Sequence, residues 1–116
     1  MKDIVCISTD DMKNWTDHGT VFDIKNCKWG ATLSWAPSVA FRNGTFYLYY
    51  GDGDKSIGVA TSSNVIGPYV DNNAGPVVSK DTPGVLEYDE NHNLIKPSKD
   101  MPGALSGSQN WGFLVL

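Results

Sequence analysis

Five carboxylates and four tryptophans are the residues of this chain whose types and spacing suggest chemistry. Asp52 and Asp54 alternate with glycine in Gly51-Asp52-Gly53-Asp54, while Glu87, Asp89 and Glu90 make the densest acidic cluster. Inverting cleavage of an acetal link needs two carboxyl groups ~6.5–9.5 Å apart, one to protonate the leaving oxygen and one to activate water. Nothing in the spacing here fixes such a gap, so Asp52 and Glu87 are only weak catalytic candidates. The simpler expectation is a solvated turn at Asp52 and Asp54 and a solvated hairpin around Glu87. The alternating aspartates could also ligate a hard cation, but the longer acidic loop of calcium sites is missing. His18 and His92 stand alone, with no second ligand at zinc-like spacing. No metal site and no cofactor are expected.

The tryptophans carry more information. An indole face stacks on the apolar C–H face of a sugar ring, although an aromatic at a strand start can equally be core. Trp35 opens a strand-like run, and Trp29 and Trp111 lie in loop-like contexts where they could line a cleft or staple a loop to a sheet. Cys6 and Cys27 are too few for a disulfide framework. Two free thiols are the simpler reading, and a bridge between neighbouring strands is the alternative. Asn14 and Asn43 sit in N-glycosylation patterns, but no secretory segment is visible and Asn43 already has a turn role.

The elements that would position these groups are strands. Residues 33–50 contain two β-rich runs separated by Asn43-Gly44, the dipeptide of a two-residue hairpin turn. Pairing outward sets Phe41 against Phe46 and Val39 against Leu48 on one face, with Ala40 against Tyr47 and Ser38 against Tyr49 on the other. Both faces are then largely apolar, which predicts a sheet covered above and below. "IGVATSS" predicts a third strand with small residues suited to close sheet approach, and "GPYVDN" a fourth, outer one.

Four consecutive antiparallel strands describe the meander of a propeller blade. A weak repeat supports it: "DIVCISTDDMKNWTDHG" resembles "SIGVATSSNVIGPYVDNNAG", with Ile4 matching Ile57 at an offset of 57 − 4 = 53 residues, near the ~40–50 of propeller blades. The expected organisation is a single partial unit. Residues 3–22 are the last strands of a first blade, 33–72 a complete second blade, 73–110 a long loop or hairpin arm, and 111–116 the start of a further strand. Within the arm, "VLEYD" and "LIKP" flank a turn. The fold class is therefore all-β, about one and a half to two four-stranded blades, completed by self-association into a homo-oligomer. The apolar ending "WGFLVL" leaves an edge that natural proteins cover or charge.

Composition sets the outer limits. The chain of 116 residues is 41% hydrophobic and 19% charged, with 12 Gly and a net charge of −4. Its basic residues are scattered, so it has no electrostatic footprint for nucleic acid or an anionic membrane. Its apolar runs fall far short of the ~20 residues that span a bilayer. The residues after Met1 lack a signal-like apolar segment, which predicts a cytoplasmic protein as the chain stands.

The run "WAPSVAFRNGTFYLYYGDGDKSIGVATSSNVIGPYVDN" resembles the second blade of the family 43 glycoside hydrolases. "STDDMKNWTDHG" is similar to the same family's close of blade one. The resemblance covers roughly residues 3–80. It implies a five-bladed propeller that removes xylose or arabinose from plant cell-wall polysaccharides by inverting hydrolysis, with xylo- or arabino-oligosaccharides as partners. It also implies that the base aspartate lies ahead of Met1 and that the tuning aspartate and acid glutamate lie beyond this chain. "NWGFLVL" approaches the expected third-blade Asp-Pro and then departs from it. What carries over is the funnel-facing strand of Trp35, Ala36, Pro37 and Ser38; Trp29, from its loop, could line the same cleft as a further substrate contact. Relatives often place Asp, Glu or His where Ser38 stands. Two other readings follow: a non-catalytic carbohydrate-binding module, and a purely structural oligomerising fragment.

Overall fold

The computed structural model describes residues 1–85 and 87–96. Strands β1 (Asp3–Ser8) and β2 (Thr16–Asp23) form a hairpin sheet, and a single 3-10 turn (Ile24–Asn26) follows. Strands β3 (Trp35–Arg42), β4 (Thr45–Asp52), β5 (Ser56–Ser62) and β6 (Val78–Ser79) form a four-stranded antiparallel sheet in chain order. A short arm pairs β7 (Glu87–Tyr88) with β8 (Leu94–Lys96) across the turn expected there.

The β3–β4 hairpin has the register that the Asn-Gly signal requires. Phe41 pairs with Phe46, Val39 with Leu48, Ala40 with Tyr47 and Ser38 with Tyr49. Asn43 at φ 52° and Gly44 at φ 81° both occupy the left-handed region, as a turn whose twist matches the flanking strands demands. The phenylalanine rings at the tip lie 4.6 Å apart.

The core lies between the two sheets. Leu48, Tyr50 and Ala60 of the larger sheet join Ile4, Val21, Phe22 and Tyr69 in one buried cluster. Phe22 and Tyr50 meet at 4.8 Å between ring centres. The small residues of β5 have a specific reason: Gly58 pairs with Tyr50, and a Cβ on Gly58 would overlap the Tyr50 ring.

Among the described residues, cover on both faces does not occur. Strand alternation puts Tyr47 and Tyr49 on the face opposite Leu48 and Tyr50, and both tyrosines are only half-buried. On the covered face itself, Val39 is 46% and Phe41 61% exposed. The physical reason is supply. Among the described residues the blade is covered by the β1–β2 sheet, by the connection through Cys27 and Ala31 and by Tyr69, and that cover leaves Val39 and Phe41 exposed.

The expected outer strand at 67–72 is also different. Val70 forms an isolated antiparallel bridge with Thr61, and the other end of β5 is covered by β6 through Ile57 and Ser56. The neighbours of Val70 turn their backbone elsewhere. Tyr69 N donates to Val21 O at 2.8 Å and Asp71 N to Asn26 O at 3.0 Å. Residues 69–71 thus stitch the sheets together alternately, and the ladder along β5 cannot continue. Gly67, at φ 77°, sits so close to Val21 O that an added Cβ would come within 2.6 Å.

Candidate functional site

The site is built at the end of the blade where β2 leads into β3. Residues 1–2 and 32–34 are tied there by Ser34 N donating to Met1 O at 3.0 Å and by Lys2 Nζ donating to Thr32 O at 2.9 Å. Trp35 emerges next, 44% exposed, paired with Gly51 at the end of β4. The ladder slips between Trp35 and Ser38, and Ala36 holds φ 45°. A non-glycine residue in that region costs ~1–3 kcal/mol and persists only where the surroundings over-determine it. Ala36 and Pro37 are exposed and Ser38 is half-buried. Trp35, Ala36 and Pro37 therefore form an exposed, conformationally fixed lip.

Asp52 ties down the segment that leads into that lip. It is 7% exposed, and its Oδ1 accepts hydrogen bonds from Thr32 N at 3.0 Å, Thr32 Oγ1 at 3.2 Å and Leu33 N at 3.0 Å. The solvated turn expected for Asp52 is corrected by this arrangement: the carboxylate is turned inward because the β2–β3 connection has backbone donors to satisfy. Asp54 remains exposed. Beside the lip, Ser34 is fully buried, and its hydroxyl has no partner among the described residues.

Trp29 belongs to a different constellation. Its Nε1 donates to Asp71 Oδ2 at 2.8 Å, and Tyr50 OH donates to the same oxygen at 2.7 Å. Asp71 Oδ1 accepts from Asn73 N at 3.0 Å and from Asn73 Nδ2 at 2.9 Å. Asp71 is 0% exposed, so this carboxylate is satisfied entirely by protein donors. Burial, reinforced by the Cys27 thiol and the Asp71 carboxylate, holds the Tyr50 phenol well above its ordinary range. Trp29 is thereby a staple between the β2–β3 connection and residue 71.

Sequence reasoning missed Asp71. The run Asp71-Asn72-Asn73 carries a signal for an Asx turn, but nothing local announces that Tyr50 and Trp29 arrive on its other oxygen. Glu87 pairs through its backbone with Lys96 on the arm. Trp111 lies outside the described residues. His18 is half-buried, its Nε2 2.7 Å from Ser8 Oγ, and both cysteines are free. Among the described residues no group of three His, Cys, Asp or Glu side chains is placed to hold a metal.

Comparison with known proteins gives a consistent answer. The model for Glycosyl hydrolases family 43 matches residues 1–93. An arabinoxylan arabinofuranohydrolase of Paenibacillus polymyxa is 43% identical over 95 residues, covering 71% of this chain and 15% of that protein. Its namesake in Bacillus subtilis is 40% identical over 95 residues, covering 71% of this chain and 18% of that protein. The solved structure of an α-L-arabinofuranosidase from Clostridium thermocellum superposes with a TM-score of 0.69 at 57% identity, covering 72% of this chain and 28% of that one. A β-xylosidase/α-arabinofuranosidase from a compost metagenome, in complex with xylotriose, superposes at 0.60 with 31% identity, covering 78% of this chain and 29% of that one. The chain thus spans less than a third of each of these relatives.

Proposed function

Because the chain belongs to Glycosyl hydrolases family 43, we propose that it is a section of a glycoside hydrolase acting on arabinoxylan- or xylan-derived oligosaccharides, and that it contributes the wall of the sugar site beginning at Trp35. The observation that carries this reading is the lip itself: an exposed indole at a strand start, followed by a strained alanine and preceded by a segment that Asp52 holds at Thr32 and Leu33. An aromatic face held rigidly is what a pyranose or furanose ring stacks on, since little freedom is lost on binding.

The acid and base of inverting hydrolysis come, in this reading, from residues outside the chain. Two facts support that. Asp52 is occupied as the anchor of the β2–β3 connection, and the Asp71 carboxylate is taken up by four hydrogen bonds from protein groups. Neither carboxylate is poised beside an open cleft to exchange a proton with substrate. The missing groups are supplied by a longer polypeptide or by another copy, with self-association through the half-exposed Tyr47 and Tyr49 face.

The test is titration of the chain with xylo- and arabino-oligosaccharides, alongside an assay on aryl xylosides and arabinofuranosides. Binding is expected to weaken about tenfold in Trp35→Ala, and the isolated chain is expected to turn over neither substrate. Affinity unchanged by Trp35→Ala would remove the proposed wall, and turnover by the isolated chain would show that it holds its own carboxylate pair. A non-catalytic binding role is favoured by the structural employment of Asp52, and binding without turnover in the assembled oligomer would select it.

A further inference from the structure

The turn between β1 and β2 lies at the opposite end of that hairpin from Trp35, since β2 ends beside Asp3 before the chain enters the lip. The six residues of β1 put the two ends ~20 Å apart. At this far end an open pocket of about 180 Å³ is lined by Ser8, Thr9, Asp10, Asn14, Trp15 and their neighbours. Trp15 is 51% exposed, unlike the stapled Trp29. Neither its indole N–H nor the Asp10 carboxylate is engaged by another described residue, whereas Asp11 is fully committed. Asp11 Oδ1 accepts from Thr9 Oγ1, Lys13 N and Asn14 N, and its Oδ2 accepts from Asn14 Nδ2.

We infer that this pocket is a second, distal carbohydrate site, taking one neutral pentose ring of a xylan-type chain on the face of Trp15, with Asp10 accepting from the ring hydroxyls. The inference rests on the family reading for its sugar class, but the site itself is independent of the lip. Its size is below the ~300–1,000 Å³ of clefts that engulf a drug-sized ligand, which suits one ring laid on a surface. The pairing of an apolar indole face with a free acceptor matches the two-sided character of a sugar: C–H groups on one side, hydroxyl donors around the rim. A metal is the wrong occupant, because both oxygens of Asp11 are taken by donors and Asp10 is then the single free carboxylate. An anionic sugar is equally wrong beside two aspartates on a chain of net charge −4.

A site so far from Trp35 touches polymers and long oligosaccharides without touching the short substrate at the lip. The experiment follows the indole N–H resonances of the full chain, assigned by single Trp→Phe substitutions, during titration with neutral xylo-oligosaccharides and with a glucuronate-bearing one. The Trp15 signal is expected to shift and saturate with the neutral ligands and to respond about tenfold more weakly to the charged one. Trp15→Ala and Asp10→Asn should reduce retention on insoluble arabinoxylan several-fold while leaving the Trp35 response intact. A silent Trp15 with a responding Trp35 overturns the distal site alone. If both are silent, the sugar-binding reading of the whole chain falls with it.

Discussion

Asp71 ties three parts of the described fold together. Its two oxygens collect the Trp29 indole, the Tyr50 phenol and both donors of Asn73, joining the β2–β3 connection, β4 and the segment after β5. Removing one donor leaves a buried carboxylate short of a partner, which costs about 1–3 kcal/mol. Tyr50→Phe is therefore expected to lower the unfolding free energy by that amount in chemical denaturation, with no change in the β3–β4 register. The pH dependence has a definite sign. The Tyr50 phenol is held above its ordinary value, chiefly by burial, so its stabilising contribution is complete below the unfolded tyrosine value of ~10 and is lost as pH rises beyond it. Tyr50→Phe should remove that alkaline component from a stability–pH profile. At Trp35 the sequence left a sugar platform and a core aromatic open, and the structure leaves the side chain 44% exposed. At Asp52 it misjudged burial, because the donors that draw the carboxylate inward lie some twenty residues earlier, in Thr32 and Leu33.

At the scale of elements, the β3–β4 hairpin was legible to the residue, since Asn43-Gly44 permits few alternatives and the side-chain alternation fixes the rest. Strand β5 was legible in position but not in purpose. One of its small residues answers a single ring, Gly58 beside Tyr50, while Ala60 is buried in the core between the sheets. Gly58→Ala forces that ring or the β4–β5 spacing to move, and overpacking of this kind costs about 1–3 kcal/mol. Thermal unfolding should show the loss. A variant as stable as the parent would mean that the Tyr50 ring shifts freely, which its contact with Phe22 and its hydrogen bond to Asp71 oppose. The fourth strand was over-read. "GPYVDN" has strand-like composition, but Tyr69 and Asp71 direct their N–H groups to Val21 and Asn26, a choice made by the neighbouring sheet.

As a whole, the chain is all-β and a partial β-propeller, a four-stranded blade with a two-stranded sheet packed on one side. The other side shows what is unfinished. Tyr47 and Tyr49 there are only half-buried, so a blade-like neighbour is expected to cover them. In solution, the molar mass by light scattering should exceed the 12.6 kDa of one chain, and Tyr49→Glu, which places a charge on the open face, should shift the population toward monomer. A monomeric parent with the same stability as Tyr49→Glu would remove self-association from the proposal and leave a longer polypeptide as the proposed source of the acid and base.

The sequence by itself determined what is local: the Asn-Gly turn, the alternation that pairs Phe41 with Phe46 and Val39 with Leu48, the all-β class, and the family-like run from Trp35 onward. The turn and the pairing follow from steric limits on a few consecutive residues, the all-β class from the succession of such runs, and the family-like run from its resemblance to the family 43 glycoside hydrolases. Only the tertiary structure decided which carboxylates are buried, which tryptophan is a staple and which a free surface, and where the outer strand stops. Those outcomes depend on which donor groups meet across the two sheets, and such meetings join residues 42 apart in the case of Trp29 and Asp71, beyond the reach of any local pattern.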